Sequence, residues 1–141
     1  MASCYFVLLK DENLPPRQKE VKRIVINYSD LNPLSGISVK NLSSAFNTAF
    51  LIASLLREEF LFICSPKVRF FSFENPSCSV YSDGLLPNGK TIAESSFSFA
   101  YIIKREDFCF IPDNVKEEEM FNFLKENLKL KKTEPFWSCE I

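Results

Sequence analysis

Between positions 41 and 56 the chain carries no charged side chain, and this stretch constrains the fold more than any other. Leu42, Ala45, Phe46, Ala49, Phe50, Ala53 and Leu56 recur at the three-and-four spacing that lines one face of an α-helix. Leu51, Ile52 and Leu55 lie off that stripe, so the apolar surface wraps most of the way round. A helix apolar nearly all round is normally buried. The segment is therefore expected to be a central helix, about 41–58, with strands wrapped against it. The acidic pair Glu58-Glu59 sits at the unfavourable end of the helix dipole, which places the helix end near Arg57. One sheet face alone does not need so much apolar surface. Leu51, Ile52 and Leu55 call for a second cover from a C-terminal helix, from the tail or from another chain.

The flanking segments read as strands. Residues 4–9 (CYFVLL) form a short continuous apolar run, expected to be a buried strand. Residues 21–29 alternate, with Ile24, Ile26 and Tyr28 on one face and Arg23, Val25 and Asn27 on the other. A polar, proline-containing loop at 10–20 separates the two, and they are expected to pair as a hairpin. A turn at 30–36 follows. After the helix, 60–64 (FLFIC) reads as an interior strand. Ser65-Pro66 then offers a tight break into an antiparallel partner at 67–73. A strand at 77–82, a turn at Asp83-Gly84 and a loop at 85–93 around Asn88-Gly89 come next. Residues 95–103 alternate again, with Phe97, Phe99, Tyr101 and Ile103 on one face, and 108–111 is expected to return as a strand before Pro112.

A second helix is predicted over about 114–131. Asp113 or Asn114 is a natural N-cap, and Asn114 with Glu117 approximates a capping box. Three glutamates at the start and lysines at the end follow the dipole. The expected fold is α+β: a mainly antiparallel sheet of about five to seven strands, packed on the central helix, with the amphipathic C-terminal helix outside. Residues 1–132 form one domain. Residues 133–141 form an aromatic tail, either docked on the domain or binding a partner, and it holds the single Trp.

Composition bounds the chemistry. With no His among 141 residues, the commonest general base and metal ligand is missing. Five Cys, at 4, 64, 78, 109 and 139, have neither the close pairing of a zinc site nor a CxxC redox motif. Glycine occurs only at 36, 84 and 89, outside any nucleotide fingerprint. Glu117, Glu118 and Glu119 read as complement to a helix start. No cofactor, no metal and no catalytic residue is therefore expected, and the protein reads as a non-enzyme. The longest apolar block falls short of the roughly 20 residues of a membrane span. Unpaired thiols without a signal peptide favour an intracellular setting, cytoplasmic or nuclear.

Two binding readings follow from where aromatic residues fall. Leu85 and Leu86 in a loop, with Phe136 and Trp137 in the tail, are apolar residues in segments expected to be solvated. Such residues are enriched at interfaces. They point to a non-catalytic interaction subunit or adaptor that meets another protein chain, in a hetero-complex or a homodimer. Alternatively, period two in 67–73 aligns Lys67, Arg69, Phe71 and Phe73 on one strand face, the basic and aromatic mixture of single-stranded nucleic-acid binders. A net charge of −1 weighs against that alternative.

Overall fold

The computed structural model describes residues 4–10, 21–29, 36–95 and 98–139. Residues 11–20 of the expected loop, most of the turn at 30–36, and Ser96, Phe97, Glu140 and Ile141 lie outside the described residues.

The chain builds three layers around a central seven-stranded sheet. In chain order the strands of that sheet are β1 (Cys4–Leu9), β2 (Lys22–Tyr28), β3 (Ile37–Val39), β4 (Phe60–Cys64), β6 (Val80–Tyr81), β9 (Ala100–Lys104) and β10 (Lys131–Lys132). They lie side by side as β10-β6-β9-β4-β1-β2-β3. A second sheet orders β5 (Val68–Phe70), β11 (Trp137–Cys139), β7 (Gly84–Leu85) and β8 (Thr91–Ile92) as β5-β11-β7-β8. Helices α1 (Leu42–Leu55) and α2 (Glu117–Asn127) cover the opposite face of the central sheet.

Both sheets are mixed, which corrects the expectation of a mainly antiparallel sheet. β1 runs parallel to β2 in the register Cys4↔Lys22 to Leu9↔Asn27, so the two do not form a hairpin. β2 runs parallel to β3, and the chain then crosses back through α1 to lay β4 parallel to β1. Antiparallel pairing begins only at β4 with β9. The physical reason is visible in β1 itself. A strand apolar on both faces belongs between two covering layers, the setting of parallel interior strands.

Alternation along the inner strands sorts the core into two halves. Phe6 and Leu8, Leu61 and Ile63, and Tyr101 and Ile103 pack toward the helices with Phe46, Ala49, Met120 and Leu124. Tyr5 and Val7, Phe62 and Cys64, and Ala100 and Ile102 pack toward the second sheet with Phe70, Phe136 and Trp137. Each fully buried side chain of this kind contributes roughly 1.5–3 kcal/mol. Phenylalanines fill both halves, and in the second they gather around Phe70. The Phe70 ring meets Tyr5 at 5.9 Å, Phe62 at 5.6 Å, Phe73 at 5.3 Å and Phe136 at 6.2 Å between centroids.

The helices differ from expectation at their ends. Asn41 caps α1, its side chain accepting the Ser44 N–H at 2.8 Å. The helix stops with Arg57 at φ +57° and the Glu58 N–H donating back to the Ala53 carbonyl at 2.9 Å. This is the Schellman arrangement, closed with Arg in place of the usual Gly. α2 starts at Glu117, three residues after the expected Asn114. Asp113 is engaged by Lys40 at 2.6 Å, and the Val115 N–H closes a turn on the Pro112 carbonyl at 3.2 Å. α2 ends at Asn127, and Lys129 at φ +56° turns the chain toward β10.

Three further expectations change. Residues 108–111 form no strand, because the Asn47 side chain takes both backbone groups of Ile111, at 2.9 and 3.0 Å. The expected partner strand at 67–73 shortens to Val68–Phe70 and joins the second sheet instead of pairing with β4. The expected loop at 85–93 is a short hairpin of β7 and β8. Its turn is the predicted Asn88-Gly89, with Gly89 at φ +83°.

Candidate interaction surfaces

The fold lays the tail strand beside β7, so the four residues singled out as partner contacts come close together but differ in burial. Trp137 is 0% exposed and Phe136 is buried. The Trp137 indole N–H donates to the Ser82 carbonyl at 3.1 Å, and the Phe136 N–H donates to the Ser82 hydroxyl at 3.3 Å. Phe136 and Trp137, expected in a solvated tail, are thus packed in the chain's own core. The indole lies against Gly84, where the missing Cβ leaves room for its ring. Leu85 and Leu86 are half-buried. The basic and aromatic set divides as well. Lys67, Arg69 and Phe71 are exposed, whereas Phe73 turns inward to Tyr5 and Phe62, at 5.7 and 5.6 Å. Regular alternation fails there because β5 ends at Phe70.

A different apolar surface lies at the end of α1. One side of this helix is zipped to the segment 108–115. Ser43 donates to the Val115 carbonyl at 3.4 Å, Asn47 holds Ile111, and Phe50 stacks on Phe108 with centroids 4.6 Å apart and planes at 8°. Another side buries Ala45, Ala49 and Ala53 against the sheet. Neither cover reaches Leu51, Leu55 and Leu56, which are 49%, 83% and 52% exposed. Leu51 and Leu55, four residues apart, are neighbours on the helix surface. Phe110, 61% exposed, stands beside Phe50 at 5.7 Å. Next to them is a crevice of about 220 Å³ lined by Phe50, Ser54, Glu59, Lys104, Arg105 and Glu106. Its walls mix both charge signs around an aromatic floor. The sequence signal for this surface was the pair of leucines off the main helical stripe, whereas Phe110 had no signal beyond its own hydrophobicity.

Among the described residues no group of three metal-capable side chains converges, and no helix is long and apolar enough to cross a membrane. Cys4, Cys64 and Cys139 are buried, and Cys109 is exposed. Burial pushes the Cys64 thiol far above its ordinary range, outweighing the opposite pull of Arg23, so it is a poor nucleophile.

One buried ionisable cluster stands out. The Glu94 carboxylate accepts the Tyr101 hydroxyl at 2.8 Å and lies 3.7 Å from the Lys125 ammonium. Lys125 in turn sits 3.5 Å above the Phe121 ring. Burial raises the Glu94 carboxyl above its ordinary 4.5, with Tyr101 and Lys125 pulling it down and Asp83 pushing it slightly up. In the native state the carboxyl therefore holds its proton to a higher pH than in the unfolded chain. Stability from this group is full below about pH 4.5 and is lost as pH rises through the native value. Glu94→Gln is expected to be at least as thermostable as the parent at pH 7 and to flatten the decline above pH 4.5, measured by thermal melts across pH. A neutral-pH loss would show that the Lys125 pair outweighs the burial of the charge.

The sequence matches no known protein-family model and no curated protein sequence.

Proposed function

We propose that the protein is a non-catalytic interaction subunit that docks another protein chain on the end of α1, through Leu51, Leu55 and Leu56 with Phe110 at the rim. The observation that carries this reading is the combination of three large aliphatic side chains, half or more exposed, on a helix that has no charge before Arg57. Single exposed leucines are ordinary, but a contiguous group beside a concave aromatic crevice is what interfaces use. Full burial of one such leucine is worth roughly 1.5–3 kcal/mol, so a partner covering the group gains a compact apolar anchor. A specific interface must exceed about 1,000 Å², so the contact extends beyond these residues onto the mixed-charge walls of the crevice. This retains the reading of an adaptor within a larger complex and moves its contact surface from the tail to the helix. Five scattered cysteines, odd in number and without a close pair, favour a reducing compartment, cytoplasm or nucleus, as its setting.

The test is the double variant Leu51→Asp, Leu55→Asp. Two Asp near the C-terminus of α1 oppose its dipole and lower helix propensity, together by about 1–2 kcal/mol, so the melt should fall only modestly and the chain stay folded. Light scattering and affinity capture should show that a partner held by the parent chain, whether a second copy or a different protein, is lost from the variant. A parent that is monomeric and captures the same proteins with and without the substitutions would overturn the proposal.

A further inference from the structure

The outer face of the second sheet, on the opposite side of the molecule from the helix layer, has its own chemistry. Register places Arg69 beside Ser138, Ser138 beside Leu85 and Leu85 beside Thr91, one row across all four strands. The alternate row, Phe70, Trp137, Gly84 and Ile92, faces the core. Lys67 and Arg69 are exposed on the edge strand, and Phe71, next in line, is 53% exposed. Lys90 is exposed at the tip of the β7–β8 hairpin. None of Lys67, Arg69 and Lys90 makes an ion pair among the described residues, whereas Lys10, Lys40, Lys104, Lys125 and Lys132 each do. The row holds no acid. Asp83, next to Gly84, is taken up by Lys132 at 3.4 Å.

Unneutralised cations in line with an exposed ring, on a face otherwise made of hydroxyls and one leucine, complement a chain of anionic groups carrying flat rings. We propose that this face binds single-stranded nucleic acid along β5, with Lys67 and Arg69 on successive phosphates and Phe71 stacked on a base. Every nucleotide of a single strand brings a phosphate and a flat ring together at a fixed spacing, whereas an acidic protein segment brings carboxylates without a ring at each step, and that difference decides the choice of ligand. The site is separate from the docking surface on α1, so the chain would hold a protein on one layer and a nucleic acid on the other.

Fluorescence anisotropy of the full chain with labelled twelve-nucleotide oligo-U and oligo-dT tests this, with labelled heparin as a polyanion that has no aromatic rings. Two phosphate contacts to a single strand predict a log–log salt slope of about −1.4, hence roughly 7-fold weaker binding between 50 and 200 mM salt. Lys67→Gln with Arg69→Gln should abolish most of that slope. Phe71→Ala should weaken oligonucleotide binding about 5-fold or more and leave heparin binding unchanged. The Leu51→Asp, Leu55→Asp variant should bind oligonucleotide like the parent, so failure here and failure of the α1 reading are separate results. Absence of oligonucleotide binding at 50 mM salt would overturn the proposal. So would an unaffected Lys67→Gln, Arg69→Gln variant, or a Phe71→Ala variant that loses heparin and oligonucleotide equally. The last of these would mark a site for acidic protein segments instead.

Discussion

Truncation of Trp137 to alanine is expected to destabilise the protein by about 3–5 kcal/mol, the usual range for removing a buried aromatic side chain. The indole is fully buried among Val68, Phe70 and Phe136, and its loss also leaves the Ser82 carbonyl without its donor. For a domain of this size that corresponds to a melting temperature lower by roughly 10 °C or more. Denaturant unfolding followed by circular dichroism measures it directly, and Leu55→Ala, at the most exposed leucine, is the control that should change little. The parent chain adds a second readout, because its single Trp should fluoresce at short wavelength in the native state and shift to the red on unfolding. A loss below about 1 kcal/mol would mean that the tail is not packed as described.

Replacing Gly84 with valine should be nearly as damaging, for a steric reason. A Cβ at this position would stand 2.5 Å from two atoms of the Trp137 ring and 2.8 Å from a third. Overpacking a close-fitted site costs typically 1–3 kcal/mol, because neither the strand backbone nor the buried ring has room to move. The two sites should therefore be coupled. In a Trp137→Leu background the smaller side chain leaves space, and Gly84→Val should cost less there than in the parent, by an interaction energy of about 0.5–3 kcal/mol. Equal costs in both backgrounds would show that the indole is not what excludes a side chain at Gly84.

These two predictions concern a contact that no local pattern announces. Gly84 reads as turn chemistry beside Asp83, and Trp137 reads as an aromatic residue in a short polar-flanked tail. Both readings are sound for isolated segments, and both fail because the chain brings positions far apart in sequence into adjoining strands. The same limit explains the parallel pairing of β1 with β2. The alternation in 21–29 shows which residues share a face, and Ile24, Ile26 and Tyr28 do pack toward the helices. Alternation is blind to strand direction, and the long connection between the strands permits a return to the starting edge as readily as a hairpin.

Site residues show the same division. Lys67, Arg69 and Phe71 were legible as an exposed basic and aromatic row, because period two holds for the few residues of β5 and the one that follows. Phe73 left the row once the strand ended. Leu51 and Leu55 were legible as apolar positions beyond what one sheet face can cover. That Phe108 would stack on Phe50, leaving those two leucines outside, depended on a segment that reads locally as a strand.

What the sequence determined by itself is the burial of its strongest segments. The uncharged run of α1 forms a helix capped by Asn41 that buries one side on the sheet, not the wholly buried central helix expected, and the unbroken apolar runs at 4–9 and 60–64 form the middle of the sheet. Hydrophobic periodicity is a property of the chain's own geometry, so it reports which side of an element avoids water. Tertiary structure alone decided which surfaces meet: mixed rather than antiparallel pairing, the tail locked inside the second sheet, and the end of α1 left open. Those outcomes rest on the fit between segments distant in sequence, where one missing Cβ at Gly84 makes room for the only Trp.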